Sequence, residues 1–328
     1  MTWATMSRGR LIALVCLATF VATQGRAEDY PNPSRLIRFI VPFTPGVGAD
    51  IVARQLGPRI AERWHASIVT ENRVGASGNL GADLVAKSPP DGYTFLFTAT
   101  SFGTNPALLA NLPFDPVTSF TPVSLVTTSV LSFLVAPQIP VKTISEFIAL
   151  ARREPGALNY ASGGNGTPQH LTMELFKIAT RIDLVHVPYK GSGGALPDLM
   201  AGHVQAMIAP LQTAAPFVTG GNVRMLALFS ATRSPAFPDV PTLKEEGLPD
   251  LEVATWYGVF APAGTPTGIV MKLNAEIDSL LNDPEIRDSF ARQGMLPAGG
   301  RPERMATLLR DELTRWSRVV EAAHLHAD

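Results

Sequence analysis

Three glycines, an asparagine and a threonine stand together in the stretch ASGGNGTPQHL, residues 161–171. Glycines let a backbone come close to a ligand, and the free N–H groups in the first turn of a helix attract an anion. Thr167 is a suitable N-cap and Pro168 suits the first helical position, so we predict that a helix begins here. The stretch therefore predicts a cradle for a carboxylate or phosphate group. An ordinary connection between a strand and a helix explains the same residues and stays open as the alternative.

Two further glycine-containing turns have the same setting, FTPGVGAD at residues 43–50 and RVGASGNLG at residues 73–81. Each follows a short predicted strand, at 36–42 and 67–72, and precedes a helix. This alternation of strand and helix predicts an α/β fold with mainly parallel sheets and helices on both faces. In such sheets ligands bind at the carboxyl ends of the strands. All three turns are predicted to lie at that edge.

The elements that must position these turns are visible in the hydrophobic pattern. Residues 36–42 form an apolar strand before the first turn, and the helix after it repeats apolar residues every four positions from Val52 to Trp64. Pro58 lies inside that helix and predicts a kink or a broken turn. Thr143 and Glu146 have capping-box spacing and predict the start of another helix.

Two apolar segments, 123–134 and 256–261, are predicted to carry the chain into a second domain and back. We therefore predict two lobes, one built from 28–125 and 255–328 and the other from 126–254. Two crossings leave a cleft between the lobes. The turns at 43–50 and 162–167 would face each other across it as a clamp that closes on a ligand by hinge motion.

The first 27 residues read as a cleaved signal peptide, with Arg8 and Arg10 before the apolar run 11–21 and small residues at Gly25 and Ala27. We therefore expect export to the periplasm. The single cysteine, Cys16, would leave with this segment, which excludes disulfide and thiol chemistry in the mature chain. The sequence has no basic patch and no aromatic–basic pattern of the kind that indicates nucleic-acid binding.

Patterns for other chemistry are absent from the sequence. No glycine-rich turn ends in Gly-Lys-Ser/Thr, and no serine lies in a Gly-x-Ser-x-Gly elbow. A triad of Ser162, His170 and either Asp183 or Asp198 can be drawn, but His170 falls early in a helix, where an exposed polar role is commoner. The histidines have no metal-ligand spacing. We therefore predict no catalytic residue, no metal and no cofactor.

Eight motifs spread over the predicted mature chain recur, in this order, in one known family: PFTPGVGAD, ENRVGASGNLGAD, PPDGYTFLF, NPAL, LNYASGGNGTPQHL, VHVPYKGSGGALPDLMAGHV, RSPAFPDVPTLKEEGLP and APAGTP. The chain resembles the Bug-type periplasmic solute-binding proteins, the receptors of tripartite tricarboxylate transporters. The resemblance implies a type II periplasmic-binding-protein fold, with two α/β lobes around a cleft. It also implies a di-, tri- or aromatic carboxylate as ligand, and delivery to a membrane permease of one large and one small subunit.

In that family, backbone amides and hydroxyls of two turns commonly hold a ligand carboxylate. Carried over, the resemblance implies binding residues in the first turn, which are Phe43, Gly46, Val47, Gly48 and Ala49. In the second turn it implies Ser162, Gly164, Asn165, Gly166 and Thr167. Ser101 and Tyr189 would line the remaining wall, and Ala209 completes the implied set of binding residues.

The chain departs from the family pattern at two places. The first turn has Val47 where a second glycine is usual and Ala49 where a hydroxyl residue is usual, which leaves more of the binding to backbone amides. Many relatives carry acidic residues in and after the strand at 204–209, where this chain has Gln205 and Ala209. Without an acid, a cationic amino group would lack a partner. We therefore expect a carboxylate that bears no ammonium group.

The expected function is that of a monomeric receptor that captures its ligand without reacting with it. The alternative, which the sequence does not separate from transport, is a receptor that presents its ligand-bound form to a membrane signalling protein.

Overall fold

The computed structural model describes residues 30–109, 111–248 and 251–322, so the predicted signal peptide lies outside the described residues. The strands are β1 Leu36–Val41, β2 Ser67–Asn72, β3 Thr94–Ala99, β4 Phe120–Val135, β5 Asn159–Ser162, β6 Val185–Pro188, β7 Ala206–Pro210, β8 Arg224–Leu228, β9 Ala254–Pro262 and β10 Met295–Pro297. The helices are α1 Gly48–Trp64, α2 Asn79–Ala86, α3 Ser101–Leu108, α4 Ile144–Arg153, α5 Pro168–Thr180, α6 Ser192–Ala201, α7 Leu211–Thr219, α8 Thr267–Leu281, α9 Pro284–Arg292 and α10 Pro302–Ala322. Within these ranges no helix is both long enough and apolar enough to span a bilayer.

The strands form one continuous sheet in the order β2-β1-β3-β9-β4-β7-β5-β6, and β8 and β10 also pair with β4. Strand β4 is long because it belongs to both halves of this sheet. Most of its length pairs with β9, and its last residues pair with β7 and β8. The two-lobed α/β fold class is confirmed.

Parallel pairing is restricted to three strands in each half, β2-β1-β3 in the first and β7-β5-β6 in the second. All the pairings of β4 and β9 are antiparallel. The sequence rhythm reveals the parallel units, because each is a strand–helix–strand repeat. It does not reveal the antiparallel strands, because β4 and β9 lie more than a hundred residues apart in the chain.

Each half of the sheet has its own packed core. In the first half, Phe39 and Phe95 pack with the buried face of α1, which carries Val52, Leu56 and Ile60. The predicted period of this helix is therefore confirmed. A break at Pro58 is absent, because α1 runs unbroken from Gly48 to Trp64 with Pro58 inside it.

In the second half, Phe133 packs with Phe147 and Phe176, with ring centroids 4.9 and 5.0 Å apart. The predicted start of α4 is confirmed, since Thr143 Oγ1 accepts a hydrogen bond from the Glu146 N–H at 3.1 Å. The Glu146 carboxylate accepts from the Lys142 N–H at 2.6 Å, one residue before the N-cap. Helix α10 contacts both cores, Met305 on the first side and Trp316 on the second. The exact residue ranges of the two lobes stay a prediction.

One ion pair in the first half predicts a pH dependence. Glu71 of β2 accepts from Arg38 Nε of β1 at 2.7 Å and from Arg73 at 2.8 Å. The bond from Arg38 is the main reason that the pKa of Glu71 falls from 4.5 to about 2. A lowered carboxylate pKa stabilises the fold above its unfolded value, and this contribution is lost as the pH falls from 4.5 to about 2.

We therefore expect Glu71→Gln to unfold at a lower urea concentration than the parent near neutral pH and to lose less stability on acidification. Urea titrations of both proteins, near neutrality and again close to the lowered pKa, measure this difference. Identical acid sensitivity of the two proteins would contradict it.

Candidate functional site

A cavity of about 520 Å³ lies between the two halves of the molecule, where the helices that follow the parallel strands begin. Eight of the residues predicted to bind ligand line it: Phe43, Val47, Gly48, Ala49, Ser101, Gly164, Thr167 and Tyr189. The cavity therefore brings together the first and second glycine-rich turns, as the sequence led us to expect. Whether these residues bind ligand stays a prediction.

The N-terminus of α1 forms one wall of the cavity. Val47 is its N-cap, with extended backbone angles of φ −89° and ψ 165°, and no side chain caps the helix. The valine side chain has no acceptor atom, so it cannot accept from the N–H groups of the first turn. These N–H groups therefore remain available to a ligand in the cavity.

Asp50 is in the same helical turn, but its carboxylate is bonded to other residues of the protein. Its carboxylate accepts from the Gly46 N–H at 2.9 Å, from Arg54 Nε at 3.0 Å and from Asn72 Nδ2 at 2.8 Å. Burial raises the pKa of Asp50, but the bonds from Arg54, Gly46 and Asn72 together hold the pKa below its usual value. The acid therefore supports the turn and is neutralised by Arg54.

The floor of the cavity is formed by β9, through Thr255 and Tyr257. The Tyr257 ring lies directly against the Cα of Gly48, so that any side chain at position 48 would overlap it. The Tyr257 hydroxyl contacts Gln212 Nε2, and Gln212 Oε1 accepts from Ser129 Oγ at 2.6 Å. Burial raises the pKa of Tyr257, so its hydroxyl stays protonated. These contacts connect β9 to α7 and β4.

The third glycine-rich turn also reaches the cavity, through residues that the sequence analysis did not assign to the site. Ala76 and Ser77 both have positive φ, 46° and 52°, a conformation that L-residues rarely adopt. Ser77 Oγ donates to the Asn165 carbonyl at 3.1 Å, and Thr104 Oγ1 donates to the Gly166 carbonyl at 3.0 Å. These two bonds join the first half of the molecule to the second glycine-rich turn.

The second turn is held largely by bonds within itself. The Gly164 N–H donates to Ser162 Oγ at 3.1 Å, and Thr167 Oγ1 donates to the Gly164 carbonyl at 2.7 Å. Thr167 is the N-cap of α5 and accepts from the His170 N–H, and Pro168 opens the helix, so both predictions at this end are confirmed. The Gly166 N–H donates to His170 Nδ1 at 3.2 Å.

Five predicted site residues do not line this cavity. Gly46 lines a neighbouring cavity of about 490 Å³ that also touches Val47 and Thr213. Ser162 and Ala209 are fully buried. Asn165 is exposed and Gly166 is buried, where an added Cβ would lie 2.9 Å from Leu108. The binding roles of these five stay predictions.

The structure adds lining residues for which the sequence offered little signal. Some follow a recognised turn or strand, and others come from distant segments: Thr44, Gln169, Lys190, Ser192, Thr213, Thr255 and Tyr257. Lys190 is exposed and borders the cavity. Among the described lining residues it is the only charged side chain.

Six helices begin at this cavity. Its lining includes the N-cap or first turn of α1, α2, α3, α5, α6 and α7, represented by Val47, Gly78, Ser101, Thr167, Ser192 and Thr213. Five of these helices, all but α5, have no side-chain cap. Each helix N-terminus carries a partial positive charge and unpaired N–H groups. Since no aspartate or glutamate is among the described lining residues, the cavity favours an anion.

The geometry offers no support for the serine triad. Ser162 Oγ lies 2.7 Å from Nε2 of His186, not of His170, and Ser162 is fully buried outside the cavity lining. Asp198 instead accepts from the Tyr189 hydroxyl at 2.5 Å. Between Tyr30 and Ala322, leaving out 110 and 249–250, no cluster of three histidine, cysteine or acidic residues could hold a metal.

A cleft between two α/β halves, lined by helix N-termini, is the architecture of a two-lobed solute-binding protein. Residues 52–325 match the model of the tripartite tricarboxylate transporter family receptor. The chain is 35% identical to protein BugT of Bordetella pertussis, over 96% of this chain and 98% of BugT. It is also 37% identical to a UPF0065 protein of Pseudomonas sp. strain P51, over 99% of this chain and 97% of that protein.

The chain belongs to the tripartite tricarboxylate transporter receptor family, and the resemblance to Bug-type proteins is confirmed. Among solved structures, it is similar to R. palustris Rpa4515 with adipate, with a TM-score of 0.87 and 37% identity over 90% of this chain and 99% of that one. MatC from Rhodopseudomonas palustris with bound malate gives a TM-score of 0.83 and 35% identity over 88% and 99%. Periplasmic binding protein BugD has a TM-score of 0.85 and is 30% identical, over 90% of this chain and 100% of BugD.

The contact between Gly48 and Tyr257 predicts a steric requirement. Gly48→Ala should displace the Tyr257 ring and break its contact with Gln212, with a loss of about 1–3 kcal/mol in the free energy of unfolding, as for other overpacked sites. Gly193→Ala is the matched control, because Gly193 also lies in the first turn of a helix and an added Cβ there meets nothing within 4 Å. Chemical denaturation measures both variants, and equal stability of the two would contradict the prediction.

Proposed function

We propose that this protein is a periplasmic receptor that binds a small carboxylate-bearing solute in the cavity and delivers it to a membrane permease. The observation that carries the proposal is the set of six helix N-termini around a cavity whose described lining contains no acidic side chain. Backbone N–H groups and helix dipoles stabilise a carboxylate without any covalent step. The family membership and the adipate- and malate-bound neighbours support the same ligand chemistry.

We infer that the ligand carries no ammonium group. A cationic amino group would need a carboxylate partner, and none of the described residues that line the cavity supplies one. The sequence argument for this conclusion used Gln205 and Ala209, but neither lines the cavity. Gln205 is bonded to the Asn159 N–H at 2.8 Å and to the Gly202 carbonyl at 2.9 Å, and Ala209 is fully buried. The argument therefore rests on the lining itself.

We further propose that the preferred ligand has two anionic ends. One end would lie at the first turn of α1, where Val47 leaves the N–H groups uncapped. The other would lie near Lys190 and Ser192, on the opposite side of the cleft, where α6 also begins without a side-chain cap. The wall between them includes the apolar side chains of Phe43 and Val74, which suits the carbon skeleton of an organic acid.

The family membership supports a proposed route for the ligand. The signal peptide at 1–27 would export the chain, and the open receptor would capture the carboxylate between lobes 28–125 with 255–328 and 126–254. The closed form would dock, as a monomer, on a permease of one large and one small subunit, and the ligand would leave unchanged. The alternative, presentation of the ligand to a membrane signalling protein, uses the same site. Loss of ligand uptake by cells that lack the protein would favour transport over that alternative.

The N-cap of α1 provides a test of carboxylate binding. Val47→Asp places an acceptor and a negative charge at the N–H groups that would bind the ligand. An aspartate N-cap should stabilise the fold by about 1 kcal/mol, while carboxylate binding is lost. Opposite effects on stability and binding would distinguish this outcome from misfolding.

Thermal unfolding with adipate, malate, citrate and benzoate measures both effects. A ligand at about a hundred times its Kd should add about 2.7 kcal/mol to the parent protein. Val47→Ala, which keeps the N–H groups uncapped, is the control and should retain the shift. The proposal fails if no carboxylate raises the melting temperature of the parent, or if Val47→Asp responds as strongly as the parent does.

Lys190 predicts a preference for dianions. Because this side chain is exposed, its removal in Lys190→Met should weaken adipate binding by about 2- to 10-fold and leave binding of a monocarboxylate of similar length unchanged. Lys190→Arg should keep the preference. Isothermal titration at low and high ionic strength tests whether the charge of Lys190 is responsible. Salt screens this charge, so the difference in adipate affinity between the parent and Lys190→Met should be smaller at high ionic strength. An equal effect of Lys190→Met on both ligands would exclude this role.

A further inference from the structure

Three aromatic rings are stacked beneath the second glycine-rich turn, outside the cavity lining. The imidazole of His186, on β6, lies between the rings of Tyr160, on β5, and His170, on α5. Its centroid is 4.7 Å from that of Tyr160, at an interplanar angle of 14°, and 4.2 Å from that of His170, at 10°. Burial is the main cause that lowers the pKa of His186 to about 4, and the neighbouring His170 is the next. The His186 ring is therefore neutral near neutral pH.

Both histidines are connected by hydrogen bonds to the glycines of the turn. Ser162 Oγ lies 2.7 Å from His186 Nε2 and accepts from the Gly164 N–H at 3.1 Å. His170 Nδ1 accepts from the Gly166 N–H at 3.2 Å. The Gly166 bond requires a lone pair on Nδ1 of His170, which defines the protonation state of that nitrogen.

The far side of the stack is anchored separately. The Tyr160 hydroxyl donates to Glu174 Oε1 at 2.6 Å, and Lys177 Nζ donates to the same oxygen at 2.9 Å. These bonds hold the stack against α5 but do not touch the turn. The stack therefore has two sides with different contacts. Tyr160 connects it to α5, and the two histidines connect it to the glycines of the turn.

A glycine-rich turn needs such support because it has little conformational preference of its own. Gly164 and Gly166 have φ of 126° and 77°, and glycine visits positive and negative φ about equally. A ligand that had to order this turn would lose part of its binding free energy to conformational entropy. With the N–H groups of Gly164 and Gly166 tied inward, the opposite face of Gly163, Gly164 and Thr167 is presented to the cavity.

We propose that His170 and His186 are positioning residues that pre-form the second glycine-rich turn for the ligand carboxylate. The proposal rests on the function proposed above, since it concerns the same cavity. The histidines contact the turn and not the ligand, and they act by fixing the directions of its backbone groups. To pre-form the turn, the protein needs a hydrogen-bond acceptor at the position of His170 Nδ1. It does not need the imidazole ring as such.

The test compares His170→Asn with His170→Leu. Asparagine places its Oδ1 where histidine has Nδ1, so it can still accept from the Gly166 N–H, whereas leucine cannot. We expect His170→Leu to weaken adipate binding about tenfold, which corresponds to one hydrogen bond worth about 1.4 kcal/mol, and His170→Asn to bind like the parent. Isothermal titration measures the Kd, and amide exchange of Gly166 by NMR should show protection in the parent and in His170→Asn but not in His170→Leu.

Tyr160→Phe is the matched control. It removes the bond to Glu174 from the same stack without touching the turn, so it should lower the melting temperature and leave the Kd unchanged. Should His170→Leu fail to fold, His186→Gln and His186→Leu repeat the comparison through Ser162, because glutamine can place a polar atom near the position of Nε2.

Two results would overturn the proposal while the parent protein still binds adipate. One is a Kd for His170→Asn as weak as that for His170→Leu. The other is a Kd that follows the melting temperature through all variants, Tyr160→Phe included, which would assign the histidines to general stability. Failure of the parent to bind any carboxylate would instead overturn the proposed function.

Discussion

The site depends on a surplus of unpaired backbone N–H groups in one place. Helices α1, α2, α6 and α7 begin at the cavity without a side-chain cap, because their N-cap residues, Val47, Gly78, Gly191 and Pro210, lack a side-chain acceptor. Helix α3 is also uncapped, since its N-cap Thr100 uses Oγ1 to accept from the Trp256 N–H at 2.8 Å. Most helices satisfy these groups with serine, threonine, aspartate or asparagine. On the proposed function, these donors and the helix dipoles would stabilise an anion. Asp50, in the first turn of α1, lies outside the cavity lining and is paired with Arg54, so it does not compete for the donors.

The strands that cross between the two halves hold these helix ends in register. Tyr257 of β9 packs on Gly48, and its hydroxyl is linked through Gln212 of α7 to Ser129 of β4. The cavity floor therefore comes from segments that both halves share, and its walls come from turns that belong to one half each. On the proposed mechanism, closure changes the separation of the walls and leaves the floor in place. The bonds of Ser77 and Thr104 to the second turn then mark where the walls meet.

The two glycine-rich turns contribute to the site in different ways. In the first turn, the uncapped helix offers its N–H groups directly. In the second turn, the N–H groups of Gly164 and Gly166 are already bonded to Ser162 and His170. A sequence pattern of glycines before a helix predicts donors for an anion in both cases. The hydrogen bonds show that in the second turn two of these donors are used within the protein. On the proposed function, the ligand would therefore meet other atoms of this turn.

The sequence by itself determined the elements and the position of the turns. Helix α1, the caps at Thr143 and Thr167, and the parallel strand–helix–strand units all follow from patterns within a few residues, because capping and helical periodicity are local interactions. The ordered motifs also identified the family. These local patterns contain no information about which distant segments come together.

Only the tertiary structure decided that Tyr257 lies against Gly48, that Thr213 and Thr255 line the cavity, and that Ser162 pairs with His186 and not with the nearer His170. Each of these contacts depends on strand order and register across the sheet. The antiparallel crossing of β4 and β9 sets that register. It is established by the packing of residues more than a hundred positions apart, which no local pattern in the chain can specify.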